Sequence, residues 1–92
     1  MASSVIKNVI DNRIRFQNGL DDDVLDVAKN MRDGILFTAT SNNPTNHPPG
    51  CSWGSYLFIK SHYTTIFYAD EEHIACVRGI TSTTTSINWH VS

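Results

Sequence analysis

From Ser55 to Val91 the chain runs through four β-prone stretches, Ser55 to Ser61, Thr64 to Ala69, His73 to Ile80 and Thr84 to Val91, joined by very short segments. Parallel neighbours need a crossover of about a dozen residues or more, whereas antiparallel neighbours need only a tight turn. Ser61-His62-Tyr63 and Asp70-Glu71-Glu72-His73 suit hairpin loops, and Gly79 to Thr83 suits a longer polar turn. The spacing therefore predicts an antiparallel meander. In the last stretch Ile87, Trp89 and Val91 alternate with Ser86, Asn88 and His90, which predicts a strand with its apolar side inward.

Upstream the period changes. Val24, Val27, Ala28 and Met31 fall at i, i+3, i+4 and i+7, the spacing of an amphipathic helix. Asp21-Asp22-Asp23 stands where side-chain oxygens accept from the free N–H groups of a first turn, and Lys29 and Arg32 suit the negative end of the helix dipole. Gly34 is expected to stop the helix in a left-handed conformation. From Ile35 to Thr40 the period is two, with Ile35, Phe37 and Ala39 on one side and Leu36, Thr38 and Thr40 on the other. Ser41 to Gly50, rich in Asn, Pro and Thr, is expected to be an irregular surface excursion.

Two β-prone runs open the chain, Val5 to Ile10 and Arg13 to Phe16, with Asp11-Asn12 between them. They predict either a hairpin or an extended arm that pairs with a neighbouring chain, since an isolated hairpin is marginal and strand edges invite partners. The expected organisation is an N-terminal extended arm over residues 1–20 and an α+β domain over 21–92. That domain is mainly antiparallel β-sheet meander with one short helix on one face.

A chain of 92 residues is one domain at most and buries roughly 60–65% of the surface its unfolded form exposes, so neighbouring subunits are an expected source of extra burial. The formal charge of −2 provides no basic field for a polyphosphate backbone, which argues against nucleic acid as a partner. Cys51 and Cys76 have neither the dense spacing of a secreted disulfide scaffold nor the paired spacing of a zinc site. The N-terminus lacks the apolar core of a signal peptide, so the chain reads as soluble and made in the cytoplasm.

No nucleophile with its base, pair of tuned carboxylates or metal motif is legible, so neither catalysis nor a cofactor nor a metal is expected. The acidic run reads as helix capping, and His47, His62, His73 and His90 follow no zinc spacing. The aromatics are more informative. An aromatic face packs on the apolar face of a pyranose while nearby amides bind its hydroxyls. On that basis Trp53, Tyr56, Tyr63 and Asn46 are the candidate glycan-binding residues. Trp89 reads as core. Arg78, in an otherwise small and apolar strand, reads as a structural residue that needs a carboxylate or an indole as partner.

Taken together, Asp26 to Gly34, Asn43-Pro44, Pro49-Gly50 before Trp53-Gly54-Ser55-Tyr56-Leu57, Thr65-Ile66-Phe67-Tyr68, Cys76-Val77-Arg78 and the terminal Trp89 resemble the knob domain of R-type pyocin tail fibres. Phage tail-fibre and receptor-binding proteins carry the same module, and the likeness covers roughly Asp22 to Val91. The resemblance implies a homotrimeric piece of a phage or phage-like tail fibre. It would be located in the virion, made in the host cytoplasm, and would mediate attachment to a bacterial surface glycan or protein receptor without catalysis or membrane insertion. Other virion proteins are then expected partners, and Val5 to Phe16 is expected to be the stub of the fibre shaft. A purely structural connector of a virion fibre and a carbohydrate-binding module are the alternatives.

Overall fold

The computed structural model describes residues 14–17, 19–20, 23–40 and 44–92. The run Val5 to Ile10, and with it most of the expected arm, lies outside the described residues. Among these residues six strands form one mixed sheet in sequence order: β1 (Ile14–Gln17), β2 (Gly34–Ala39), β3 (Ser55–Lys60), β4 (Thr64–Ala69), β5 (Ile74–Ile80) and β6 (His90–Val91). From β2 to β6 every neighbouring pair is antiparallel, and after β3 the connections are too short for any other arrangement.

The first pair differs. β1 lies parallel to β2, with Ile14 opposite Ile35 and Phe16 opposite Phe37 in the same chain. The helix α1 (Val24–Asn30) forms the crossover that returns the chain in the same direction.

With only 7 residues, α1 is too short to hold itself in water, so its stability comes from packing. Val24, Leu25 and Ala28 are buried beside Leu20 and Met31 in the core cluster. Asp23 is the N-cap, accepting the Leu25 N–H at 2.9 Å. The other end is capped from a distance: the Lys60 ammonium donates to the Met31 carbonyl at 2.8 Å and the Lys29 carbonyl at 3.3 Å, while the Thr64 hydroxyl donates to Ala28. A cation at this end also complements the helix dipole. Gly34 does not end the helix. It opens β2 at φ 131°, three residues beyond the last residue bonded into the helix, and redirects the chain into the sheet.

Among the described residues the sheet has one covered face and one open face. On the covered face Leu36, Phe58, Ile66 and Val77 make one cross-strand row, and Thr38, Tyr56, Tyr68 and Ala75 the next. All eight are buried, so in β2 the side carrying two threonines faces the core. The row alternation breaks once in β5. A bulge sets Arg78 and Gly79 opposite Thr65, Gly79 takes φ 75°, and Val77 and Ile80 both reach the core as a result. Arg78, one place after the buried Val77, falls on the open face by ordinary alternation and is exposed, with no ion pair among the described residues. The expected carboxylate or indole partner is not needed, because the guanidinium stands in water.

Only His90 and Val91 of the final predicted strand join the ladder. Ile87 and Trp89 still pack on the core as partly buried residues, so the apolar side formed without the hydrogen bonds of a strand. The excursion after β2 is irregular, but it is not merely superficial. Pro44 and Pro48 are buried, and two successive turns close from His47 N–H to Pro44 and from Cys51 N–H to Pro48.

Candidate functional site

The four candidate glycan residues separate in space. Trp53 precedes β3 and Tyr63 follows it, so about 20 Å of strand lies between them. Tyr63 is exposed in the β3–β4 turn, edge-on to His62. Tyr56 is inside the core at 1% exposure and offers no face to a ligand; its hydroxyl bonds the His47 ring. Asn46 is an internal tie. It adopts φ 66°, donates from Nδ2 to the Asp23 carboxylate at 2.7 Å, and accepts the Trp89 indole N–H on its carbonyl at 2.7 Å. The Trp89 ring in turn packs against Tyr56, with centroids 6.3 Å apart.

Trp53 remains, and it stands beside a connected set of hydrogen bonds. The indole is 69% exposed, while the backbone on both sides is held. On one side the Ser52 N–H donates to Asp70 Oδ2 at 3.0 Å, and the Ser52 carbonyl accepts from the Tyr68 hydroxyl at 2.5 Å. On the other, Gly54 N–H donates to the Thr40 hydroxyl at 3.1 Å and its carbonyl accepts the Thr40 N–H at 2.9 Å. Gly54 lies so close to β4 that a Cβ there would stand 2.3 Å from the Ala69 carbonyl oxygen and 2.9 Å from the Tyr68 ring.

Asp70 organises this end of the sheet. Its side chain is 1% exposed and accepts the N–H groups of Glu72 and His73 at 2.8 and 2.6 Å, with the His73 ring at 3.2 Å. The Ser52 N–H, helped by the Glu72 and His73 donors, holds the Asp70 carboxyl well below the usual carboxylate range in spite of burial. Tyr68 is pushed the other way by burial and by its bond to Asp70, so it stays a protonated donor. Its single proton lies between two acceptors, the Ser52 carbonyl and Asp70 Oδ2 at 3.0 Å.

His47 extends the network inward. Nε2 lies 3.1 Å from the Ser52 carbonyl and 3.3 Å from that of Cys51. Carbonyls only accept, so in the neutral ring Nε2 carries the proton and Nδ1 accepts from Tyr56. Burial also raises the Tyr56 phenol, which keeps that donor in place. The His47 ring sits edge-on to both tyrosines, at 5.9 and 5.1 Å.

Cys51, Asp70 and His73, which no sequence spacing linked, present ligand-type atoms within 4.8 Å of one another. Both Asp70 oxygens already accept from N–H and O–H donors, so the carboxylate acts as an anchor for two loops. Burial, then the nearby negative Asp70, raise the Cys51 thiol, so it stays protonated and weakly nucleophilic. Both cysteines are free. Beside the cluster, Gly50, Ser52, Asp70, Glu71, Glu72 and His73 line a cavity of about 280 Å³. A larger space of about 630 Å³ lies between α1 and β1, and none of the predicted residues borders it.

What this end of the molecule offers is an exposed indole on a fixed backbone next to a polar, acidic hollow. Sequence reasoning found Trp53 but missed Asp70, Tyr68, His47 and His73 as a unit. One local signal was present: an aspartate opening a tight turn, whose carboxylate reaches the N–H groups two and three residues on. Among the described residues no helix is long and apolar enough to cross a membrane. Compared with protein-family models, curated proteins and solved structures, the chain matches none.

Proposed function

We propose that the chain is an attachment domain of a phage-type tail fibre, holding a bacterial surface glycan against Trp53 by contact alone. The observation that carries this is the pinned backbone on either side of an indole left 69% exposed. A large apolar side chain in water is unfavourable, and ordering it beforehand lowers the entropy cost of binding. An indole face suits the C–H face of a pyranose, and the hollow lined by Ser52, Glu71 and Glu72 supplies acceptors for sugar hydroxyls. One such contact is weak, and three copies on one fibre multiply it through avidity.

Whole-cell adsorption and a glycan array with the wild-type chain and Trp53→Ala test the proposal. Binding by wild type, lost at least tenfold in Trp53→Ala, supports it; equal binding by both overturns it. A second reading, a fibre connector with no ligand of its own, is favoured by the exposed Phe16, Phe37, Ile59 and Phe67, which no described residue covers. It predicts no adsorption by either protein.

A further inference from the structure

The ladder between β5 and β6 stops early. Ala75 faces Val91 and Cys76 faces His90, and the same register continued would set Asn88 opposite Arg78. Instead the segment before β6 stands off from β5. The space between them is a hollow of about 260 Å³ lined by Arg78, Ser86, Asn88 and His90 together with Val77 and Ile80. The outer wall is held at both ends. It starts from a turn in which the Thr81 N–H donates to the Thr84 hydroxyl at 2.9 Å and the Thr84 N–H to the Thr81 carbonyl at 3.2 Å. Near its end the Trp89 indole is tied to the Asn46 carbonyl, and Ile87 and Trp89 pack on the core. With those two turned inward, Ser86, Asn88 and His90 alternate to the exposed side. His90, opposite Cys76, is thereby a diagonal neighbour of Arg78 on one face, a separation of about 7–8 Å that long side chains span.

The polar side chains of this hollow are unspent. Arg78, Ser86, Asn88 and His90 are exposed, and none is hydrogen-bonded to another described residue. Together they offer the planar fork of a guanidinium, an imidazole, an amide and a hydroxyl, and no carboxylate stands among the residues of the hollow. Ile80 also borders a second hollow, which holds Lys29, Lys60 and His62 and again no carboxylate. Arg78 is four residues beyond Ile74, so about 13 Å of strand separates it from the start of β5 and the carboxylates of the β4–β5 turn, more than the roughly 8 Å screening length of physiological salt. A chain of net charge −2 therefore carries a locally basic, donor-rich hollow.

The geometry points to this hollow as a binding site for an acidic sugar, with its carboxylate or phosphate oxygens on Arg78 and His90 and its hydroxyls on Ser86 and Asn88. A guanidinium meets either anion with two parallel N–H bonds. A hydroxyl and an amide both donate and accept, as sugar hydroxyls require. The volume sets the size of the ligand: it falls just below the roughly 300–1,000 Å³ of pockets for drug-sized molecules, so the hollow takes one residue of a saccharide. It lies toward the opposite end of β5 from the turn that fixes the backbone beside Trp53, and it stands whether or not Trp53 holds a glycan.

Calorimetric and amide-resolved NMR titrations of the full chain with glucuronate, glucose 6-phosphate, inorganic phosphate and glucose, each to about 20 mM at low salt, test the inference. One or both acidic sugars should bind and glucose should not, with amide shifts centred on residues 77–80 and 84–90; the tighter acid identifies the anion. Arg78→Gln should weaken binding about tenfold or more with an unchanged urea midpoint. Arg78→Lys should lose less, because it keeps the charge and gives up only the fork. Trp53→Ala should bind as wild type does. Failure of both acids to bind overturns the inference, as does glucose that binds as tightly or acid binding that Arg78→Gln leaves intact. Inorganic phosphate that binds as tightly as the sugar phosphate overturns the sugar assignment. A urea midpoint lowered by Arg78→Gln also overturns it, since the guanidinium is then spent within its own chain. Loss of acid binding in Trp53→Ala would place the ligand at the other end of the sheet and likewise overturn it. Unchanged cell adsorption by Trp53→Ala would sink the attachment proposal and leave this result untouched.

Discussion

Asp70 accepts the backbone N–H of Ser52 at 3.0 Å, joining two loops that are 18 residues apart in the chain. Through that bond the β4–β5 turn fixes the residue immediately before Trp53. The exposed indole is thus positioned by a buried carboxylate in another loop.

Asp70→Asn should lower the urea midpoint at neutral pH, because a buried carboxylate that accepts several donors is replaced by a group that brings N–H donors of its own. The pH dependence has a definite sign. The folded value lies below the ordinary 3.8, so the stabilisation is complete above 3.8 and fades as pH falls below it toward the folded value. Urea titrations from pH 2 to 7 should show the gap between wild type and Asp70→Asn narrowing on the acid side. A gap that stays constant would refute the assignment.

Gly54→Ala should destabilise by about 2 kcal/mol or more, because the new Cβ meets the Ala69 carbonyl, a backbone atom that cannot rotate away. Thermal unfolding measures this directly. Gly50→Ala provides a contrast: nothing lies near its Cβ, and only the strain of φ 75° opposes the change.

Asn46→Ala should cost about 2 kcal/mol by urea unfolding, combining the lost bond to Asp23 with a left-handed backbone that alanine disfavours. Asn46→Gly should recover the backbone part, roughly 1 kcal/mol. Equal losses in the two variants would remove the conformational component.

Trp53→Ala and Tyr63→Ala should each shift stability by less than about 0.5 kcal/mol, since both rings stand largely in water. If a glycan is bound, only Trp53→Ala should weaken it, because the two rings lie at opposite ends of β3. Isothermal titration with the best array hit separates the two; comparable losses would reinstate a shared site.

Much of the fold was legible, for reasons local to the chain. The β-prone run Thr64 to Ala69 and the short turns around it are enough to specify antiparallel neighbours, and Asp23 before Val24 marks the helix start as the structure has it. Gly34 was misread because a glycine after a helical pattern signals a left-handed residue without saying whether it ends one element or begins the next. Arg78 was misread because its small and apolar neighbours suggested a buried strand, whereas this strand has one side in water and Arg78 alternates onto it after Val77. Tyr56 and Trp53 look alike as loop-proximal aromatics, yet one is core and the other solvent.

By itself the sequence determined the element types, the order of the meander and the capping chemistry, because these depend on residues a few positions apart. Only the tertiary structure decided which face of β2 is buried, that Ile14–Gln17 joins its own sheet in parallel, and that Asp70, Tyr68, His47 and Ser52 close around Trp53. Those outcomes depend on contacts between residues far apart in sequence. They are selected by competition for one core, which local periodicity does not encode.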